Sequence, residues 1–422
     1  MIIIYNILQI LLLLILGPFL AVWVVVSAKY RHRIPNRLGF GLGGMISDLP
    51  LGPRVWIHAL SVGEMASVRP LLEVLRREMP EVVVILSATT RSGEEYARGL
   101  TGLADCIVPF PLDFYWVVKR FVRLLRPDLF VLVETDFWPN LLSHLNRKKV
   151  RCLLANGRVT RQSMARYHRF RFLFTPVFSS FWRISMQMAD DAIRLVQLGV
   201  NPEKIVVCGN LKYDMAEIVS DGTRVISLAD ITGTRGLILV AGSTHNGEEE
   251  IVLDAFVSLL TNYPFLFLVI APRDVKRALE IVDLCVDRGL HYTLRTGQKG
   301  SSGQVLILDT LGELVSVYRL ADIAFVGGSL VDQGGHNPLE PAFYSVPVLF
   351  GDYMADFAEI SRDLVAVGGA FTVTDETFRD RVEKLLASEG ERKRMGRCAG
   401  DLVMKHRGAA QRLLGLIREA LW

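Results

Sequence analysis

The sequence predicts an α/β protein: two doubly wound, Rossmann-like domains facing a cleft, preceded by an N-terminal membrane anchor helix. Three observations predict it. Short, continuously apolar segments alternate with helical stretches in two successive series. A polar, turn-rich break near 220–235 separates the series. An unbroken apolar run occupies the N-terminus. The length agrees, because 422 residues exceed what one ordinary core supports, and two domains of about 150–200 residues are the default.

The N-terminal run comes first. Residues 10–26 carry no charged or strongly polar side chain, and Ile2, Ile3, Ile4 and Leu8 extend the stretch. Together they approach the ~20 residues needed to cross a bilayer. Lys29, Arg31, Arg33 and Arg37 follow directly, so the positive-inside bias places the rest of the chain in the cytoplasm. A cleaved signal peptide would carry its positive charge before the apolar run, not after it. Gly17-Pro18 interrupts the run, so a bent or shallowly inserted helix competes with a full span.

The first α/β series reads as strands at 55–57, 82–86, 129–133, 152–155, 184–186 and 205–208. Helices fit at 67–78, 114–125, 138–146 and 190–198. The second series places strands at 237–241, 265–270, 305–308, 323–326 and 346–349. Its helices fit at 247–260, 275–288, 312–318 and 338–344, and the chain ends in helical sequence over 378–421. Strands apolar on both faces belong to parallel sheets covered by helices on both sides. These limits give an anchor over 1–28, a first domain over 29–220 and a second over 221–422. The last helix of the second is free to pack back on the first.

Composition narrows the function. Half the residues are apolar and 22% are charged, as in a well-buried folded protein. A net charge of +4 is too small for a general nucleic-acid binder. The five cysteines lie far apart with no CxxC pair, which suits buried free thiols in a reducing compartment.

Ligands of doubly wound sheets bind outside the carboxyl ends of the strands, so candidate residues are sought there. Ser61-Val62-Gly63-Glu64 turns from the first strand into a helix. Glu64 suits a general base at the cleft mouth, and equally a cap for the first helical turn. Glu134 leaves the apolar strand 129–133, followed by Asp136 and Trp138-Pro139-Asn140. A carboxylate there is costly unless it meets a cleft or a cation, whereas Asp136 reads as a helix cap. From Arg147 to Arg171 nine basic residues, among them Arg158, Arg161 and Arg166, occur without one acid. Phosphates at a membrane surface are natural partners for such a segment; a solvated face is the plain alternative. Lys212, in Gly209-Asn210-Leu211-Lys212, is a possible fixed charge or a surface lysine.

In the second domain, Asn246 and Glu249 fit a capping box at a helix start that would also accept phosphate. Pro272-Arg273 offers a guanidinium, and Leu311-Gly312-Glu313 opens another helix. Gly327-Gly328-Ser329 and Gly334-Gly335-His336-Asn337-Pro338-Leu339-Glu340 make the densest run. Its glycines permit close backbone approach, and Asn337-Pro338 starts a helix well. Placed after a buried strand, the run predicts a nucleotide-phosphate pocket, with Glu340 a ribose ligand. There is no P-loop and no GxGxxG opens either domain, which argues against ATPases and dinucleotide enzymes.

Taken in order, these motifs resemble the 3-deoxy-D-manno-octulosonic acid (Kdo) transferases of lipopolysaccharide assembly. The resemblance spans nearly the whole chain. It implies a GT-B fold, CMP-Kdo as donor, the lipid A precursor as acceptor, inversion at the sugar carbon and no metal or other cofactor. It implies reaction at the cytoplasmic face of the bacterial inner membrane. By the same resemblance Glu64 is the general base, and Glu134 and Lys212 stabilise the transition state. CMP contacts fall on Pro272, Arg273, Leu311, Gly312, Glu313, Asn337, Pro338, Leu339 and Glu340. Asn156-Gly157-Arg158-Val159-Thr160 departs from the usual Asn-Ala-Arg-Leu-Ser, and Asp136 stands where glutamate is common. Two other expectations compete: a GT-B transferase of another nucleotide sugar such as a UDP-hexose, and a non-catalytic scaffold for acidic lipid.

Overall fold

The computed structural model describes residues 2–27, 31, 33–100, 102–134, 137–217, 236–297 and 303–422, apart from the side chains of 18, 20–22, 161, 216 and 217. Asp136, the polar break at 220–235 and the Arg161 side chain therefore lie outside the described residues. Two compact units emerge. One comprises Met1–Asp214 with Arg407–Trp422, the other Met215–His406.

The chain opens with helix α1 (Ile2–Val26). Its first two turns are tied to the first unit by polar side chains. Tyr5 donates to Asp113 Oδ2 at 3.1 Å, Gln9 to the Asp113 carbonyl at 3.2 Å, and Asn6 to Asn140 Oδ1 at 2.9 Å. Beyond Gln9, residues 10–26 reach about 26 Å, short of a hydrocarbon core of about 30 Å. Among the described residues no helix is long and apolar enough to cross a membrane. The expected spanning anchor is thus corrected: the polar start of the apolar run is committed to protein contacts.

In the first unit, β1 (Arg54–Ala59), β2 (Val83–Ala88), β3 (Cys106–Pro109), β4 (Leu129–Val133), β5 (Arg151–Gly157), β6 (Arg183–Met186) and β7 (Ile205–Val207) form one sheet. All neighbours are parallel, in the order β3-β2-β1-β4-β5-β6-β7. Helix α2 (Val62–Glu78) begins at Ser61, whose hydroxyl accepts from the Glu64 N–H at 3.4 Å. Its Met65, Val68, Leu71, Leu72 and Leu75 recur at helical spacing and are all buried. Each fully buried leucine contributes about 1.5–3 kcal/mol. Val55, Ile57, Val84, Leu86 and Val131 meet this stripe on one sheet face, while Trp56, Ile85, Phe130 and Leu132 fill the other. Helix α3 (Pro139–Arg147) covers that second face, its first amides taken by Asp113 at 3.0 and 2.9 Å. Helices α4 (Arg161–Arg169) and α5 (Arg171–Ser179) carry most of the second half of the basic segment.

The second unit repeats the plan with β8 (Ile238–Thr244), β9 (Phe267–Pro272), β10 (Tyr292–Leu294), β11 (Val305–Ile307), β12 (Ile323–Val326), β13 (Val348–Phe350) and β14 (Ala370–Thr372). The order is β10-β11-β9-β8-β12-β13-β14, again parallel throughout. Its helices include α6 (Glu248–Leu260), α7 (Leu314–Tyr318), α8 (Leu339–Phe343) and α9 (Glu389–His406). The expected helical tail over 378–421 is three helices, because Gly408 adopts φ 87° before α10 (Ala409–Leu421) and a further break falls at Ser388.

Helix α10 belongs to the first unit, where Leu413, Leu414 and Ile417 join the face lined by α2. Asp214 fixes its start by accepting from Gly408 N and Ala410 N, both at 2.7 Å. Hydrogen bonds to a charged acceptor contribute about 1.5–3 kcal/mol. Asp214→Ala should therefore lower the unfolding free energy in urea by about 2–3 kcal/mol. Unchanged stability would mean that apolar contacts alone dock the helix.

Candidate active site

In the first sheet the winding reverses between β1 and β4. Such a switch point opens a crevice at the carboxyl ends of its two strands. Glu64 follows β1 and Glu134 follows β4, so the two carboxylates flank that crevice. Glu64 is half-buried, and its Oε2 accepts from Leu60 N at 2.6 Å. The capping geometry is therefore real, with the Leu60 N–H as its donor. His58, near the end of β1, is fully buried and stacks on Phe110 at 3.5 Å. Its Nδ1 lies 3.1 Å from both the carbonyl and the hydroxyl oxygen of Ser87. Burial pushes His58 down to about 3, so it stays neutral and supports the strand end.

Glu134 adopts φ 60°, and Asn156, at the end of neighbouring β5, adopts φ 55°. Left-handed backbone at a non-glycine residue costs of order 1–3 kcal/mol and persists only where the surroundings enforce it. Burial raises the Glu134 carboxyl; Lys212 opposes most strongly, then Arg158, with Asn156 adding a poorly aligned contact. Asn156 itself is buried and accepts from Leu211 N at 3.0 Å, which fixes the turn carrying Lys212. The structure thus brings Glu134, Lys212 and Arg158 together from the exits of β4, β7 and β5. Arg166 does not join them; it lies exposed on α4. Asn156 was not singled out from the sequence, although an Asn-Gly pair closing a buried strand is a left-handed-turn signal.

In the second unit the winding reverses between β8 and β12. Glu248, buried at the start of α6, reaches across this point. Its carboxylate accepts from His245 N and Gly328 N at 2.9 and 2.7 Å, and from Ser329 N and Leu330 N, both at 2.9 Å. The expected phosphate pocket gains no donors from the amides of residues 328–330. The amides of the glycine loop face a carboxylate of the protein itself, which fills the place an anion would take. Gly327 is required for the approach: a Cβ there would meet the Ser243 carbonyl oxygen at 2.5 Å. The expected Asn246/Glu249 capping box is corrected. Helix α6 starts at Gly247, whose N–H is held by Glu250 at 3.1 Å, while buried Glu249 pairs with Arg277 at 2.8 Å.

Around this point stand the remaining candidates. Arg273 is exposed at the exit of β9. Asn337 Oδ1 accepts from Leu339 N at 3.1 Å, and its amide donates to Glu340 Oε1 at 3.4 Å. Pro338 and Leu339 are buried beneath. Burial raises Glu340 to about 7, against the opposing Asn337 amide and Arg273 charge. Leu311 is exposed and Gly312 has φ 82°. Glu313 is committed to a bidentate pair with Arg295 at 3.2 and 3.1 Å, leaving the turn at 311–312 as the accessible part. The helix α7 that follows ends in Tyr318, which borders Glu340. A Cβ at Gly242 would strike the Tyr318 hydroxyl at 1.9 Å, so that glycine makes the close approach possible. Two histidines missed in the sequence complete the group: His245 Nε2 and His336 Nε2 lie 2.8 Å apart with parallel rings. Among the described residues no cluster of three or more metal-ligating side chains occurs.

Two such sheets define an α/β protein of GT-B type. UDP-GlcNAc 2-epimerase from Neisseria meningitidis shares the fold, with TM-score 0.56 and 14% identity, covering 87% of this chain and 100% of that one. MurG of Acinetobacter baumannii does likewise, with TM-score 0.53 and 14% identity, covering 87% and 99%. The sequence relatives are more specific. The family described as 3-Deoxy-D-manno-octulosonic-acid transferase (kdotransferase) matches residues 32–215. The chain is 35% identical to the 3-deoxy-D-manno-octulosonic acid transferase of Haemophilus influenzae over 97% of both chains. It is 30% identical to that of Bordetella pertussis over 96% of this chain and 97% of that one. The chain belongs to the Kdo transferase family and is a glycosyltransferase, as the motif series implied.

Two outcomes follow for the second unit. Glu248→Ala strips the acceptor from four backbone N–H groups and should cost at least about 3 kcal/mol in urea unfolding. A loss below about 1 kcal/mol would show that water replaces the carboxylate. Glu340 is raised in the folded state, so its stabilising contribution is full below about pH 4.5 and lost as pH rises through about 7. The unfolding free energy of Glu340→Gln should lack that decline, as measured across this range.

Proposed function

We propose that this chain transfers Kdo from CMP-Kdo to a lipid A precursor (lipid IVA) in lipopolysaccharide core assembly, with inversion at the sugar carbon. The observation that carries the reading is the meeting of Glu134, Lys212 and Arg158 at the first sheet's switch point, in a chain whose relatives are named for Kdo transfer. A hydroxyl of the acceptor glucosamine binds beside Glu64. As its oxygen attacks the anomeric carbon, the proton passes to the Glu64 carboxylate. The bond to the phosphate oxygen breaks and CMP leaves with one more negative charge, held on the second unit by Arg273, Asn337 and the turn at 311–312. Lys212 and Arg158, kept in place by Glu134, steady the charge of the sugar and acceptor. These fixed cations let the reaction run without a metal.

The reaction belongs at the cytoplasmic face of the bacterial inner membrane. Helix α1 exposes Ile3, Ile7, Leu11 and Leu14, and α5 exposes Phe172 beside Arg171. Apolar side chains next to arginines suit a helix lying in the interface of an acidic bilayer, embedded and not spanning.

Glu64→Gln, assayed with CMP-Kdo and lipid IVA, tests the central step. Transfer should fall by at least about 100-fold, the usual general-base contribution, while CMP still binds. Near-normal turnover would sink the assignment. Mass spectrometry of the exhaustively reacted product counts the sugars added.

A further inference from the structure

The second switch point holds a pair that the reaction scheme above leaves unused. His245 follows β8 and His336 follows β12, so they come from the two strands between which the winding reverses. Their Nε2 atoms lie 2.8 Å apart and their rings are parallel within 5°. One ring must therefore donate its Nε2–H to the bare Nε2 of the other. The site is built for them: a Cβ at Gly328 would press on the His336 ring at 3.0 Å and on His245 at 3.4 Å. Among the described residues neither Nδ1 has a protein partner.

The glycine loop beside them cannot supply positive charge, because Glu248 occupies its amides. An anion arriving here needs another source of donors. The charged groups that act on the pair are Arg273 from the β9 exit, Arg277 from the turn after it and Glu248 from α6, while Glu340 from α8 is coupled to Arg273. Arg273 lies close enough to act on both rings. We propose that His245 and His336 form a proton-sharing imidazole pair that, with Arg273, holds the phosphate of the cytidine nucleotide and takes up one proton as it binds.

The inference rests on the CMP-sugar donor proposed above. The proton balance is simple. The empty pair holds two ring protons: one shared between the Nε2 atoms and one on a single Nδ1. Burial and Arg273 keep it neutral, His336 being lowered to about 4. A bound phosphate offsets the Arg273 charge. One proton from solvent then adds to the bare Nδ1, leaving an imidazolium hydrogen-bonded to a neutral ring and two outward N–H donors. The same charge would steady the phosphate as it becomes a leaving group.

Isothermal titration of the full chain tests this with cytidine 5′-methylphosphate, a diester that does not itself titrate near neutrality. Heats in two buffers of different ionisation enthalpy give the protons taken up. The wild type should take up close to one proton at about pH 7 and bind up to about 100-fold more tightly at about pH 6 than at about pH 8, the limit of tenfold per pH unit for one linked proton. His245→Gln and His336→Gln should lose the uptake and the pH dependence, while free cytidine binds them as it binds the wild type. Uptake that persists in both variants, wild-type binding without uptake, or variants that also lose cytidine would each overturn the pair's role. If the wild type binds neither cytidine nor the diester, the CMP-donor reading falls and this inference falls with it.

Discussion

Each sheet reverses its winding at one place, and the candidate residues of this chain gather at those two places. A parallel sheet covered by helices offers no free surface along its strands. It opens only where neighbouring strands send their connections to opposite faces. Glu64 and Glu134 leave the first such pair, β1 and β4. His245 and the glycine run leave the second, β8 and β12. The apolar strands that build the sheets therefore also aim the polar residues at their ends.

The two openings solve the problem of buried charge differently. The first tolerates a raised carboxyl at Glu134 by setting Lys212 and Arg158 beside it, and accepts left-handed backbone at Glu134 and Asn156 to do so. The second places a carboxylate, Glu248, where a ligand anion might have gone, and saturates it with four backbone amides. The amides of that loop are consequently satisfied by the protein itself. Arg273, Asn337 and the two histidines stand beside that satisfied loop.

Both sheets were legible from their central strands, which are apolar on both faces and read as continuous runs. The strands missed in the sequence were β3, β10 and β14, and all three are sheet edges. These strands are short: Cys106–Pro109 is four residues ending in proline, and Tyr292–Leu294 is three with a threonine in the middle. The candidate residues at strand exits were legible for the same reason the strands were. What could not be read was partnership. Nothing in the spacing of Glu248 and Gly328 says that one ligates the other across two strands, and nothing in His245 announces His336. The N-terminal helix was misread in the opposite sense: its composition was clear, but Tyr5, Asn6 and Gln9 bond to Asp113 and Asn140, far away in sequence.

The return of α10 to the first unit has a consequence for how the protein is made. Leu413, Leu414 and Ile417 complete a hydrophobic face whose other residues were synthesised before Asp214. During translation that face waits, uncovered, while the whole second unit leaves the ribosome. The second unit is continuous in the chain and can close its core first. The first to be made is thus the last to be finished, and a ribosome that stalls a few codons early releases a chain with one sound unit and one open one.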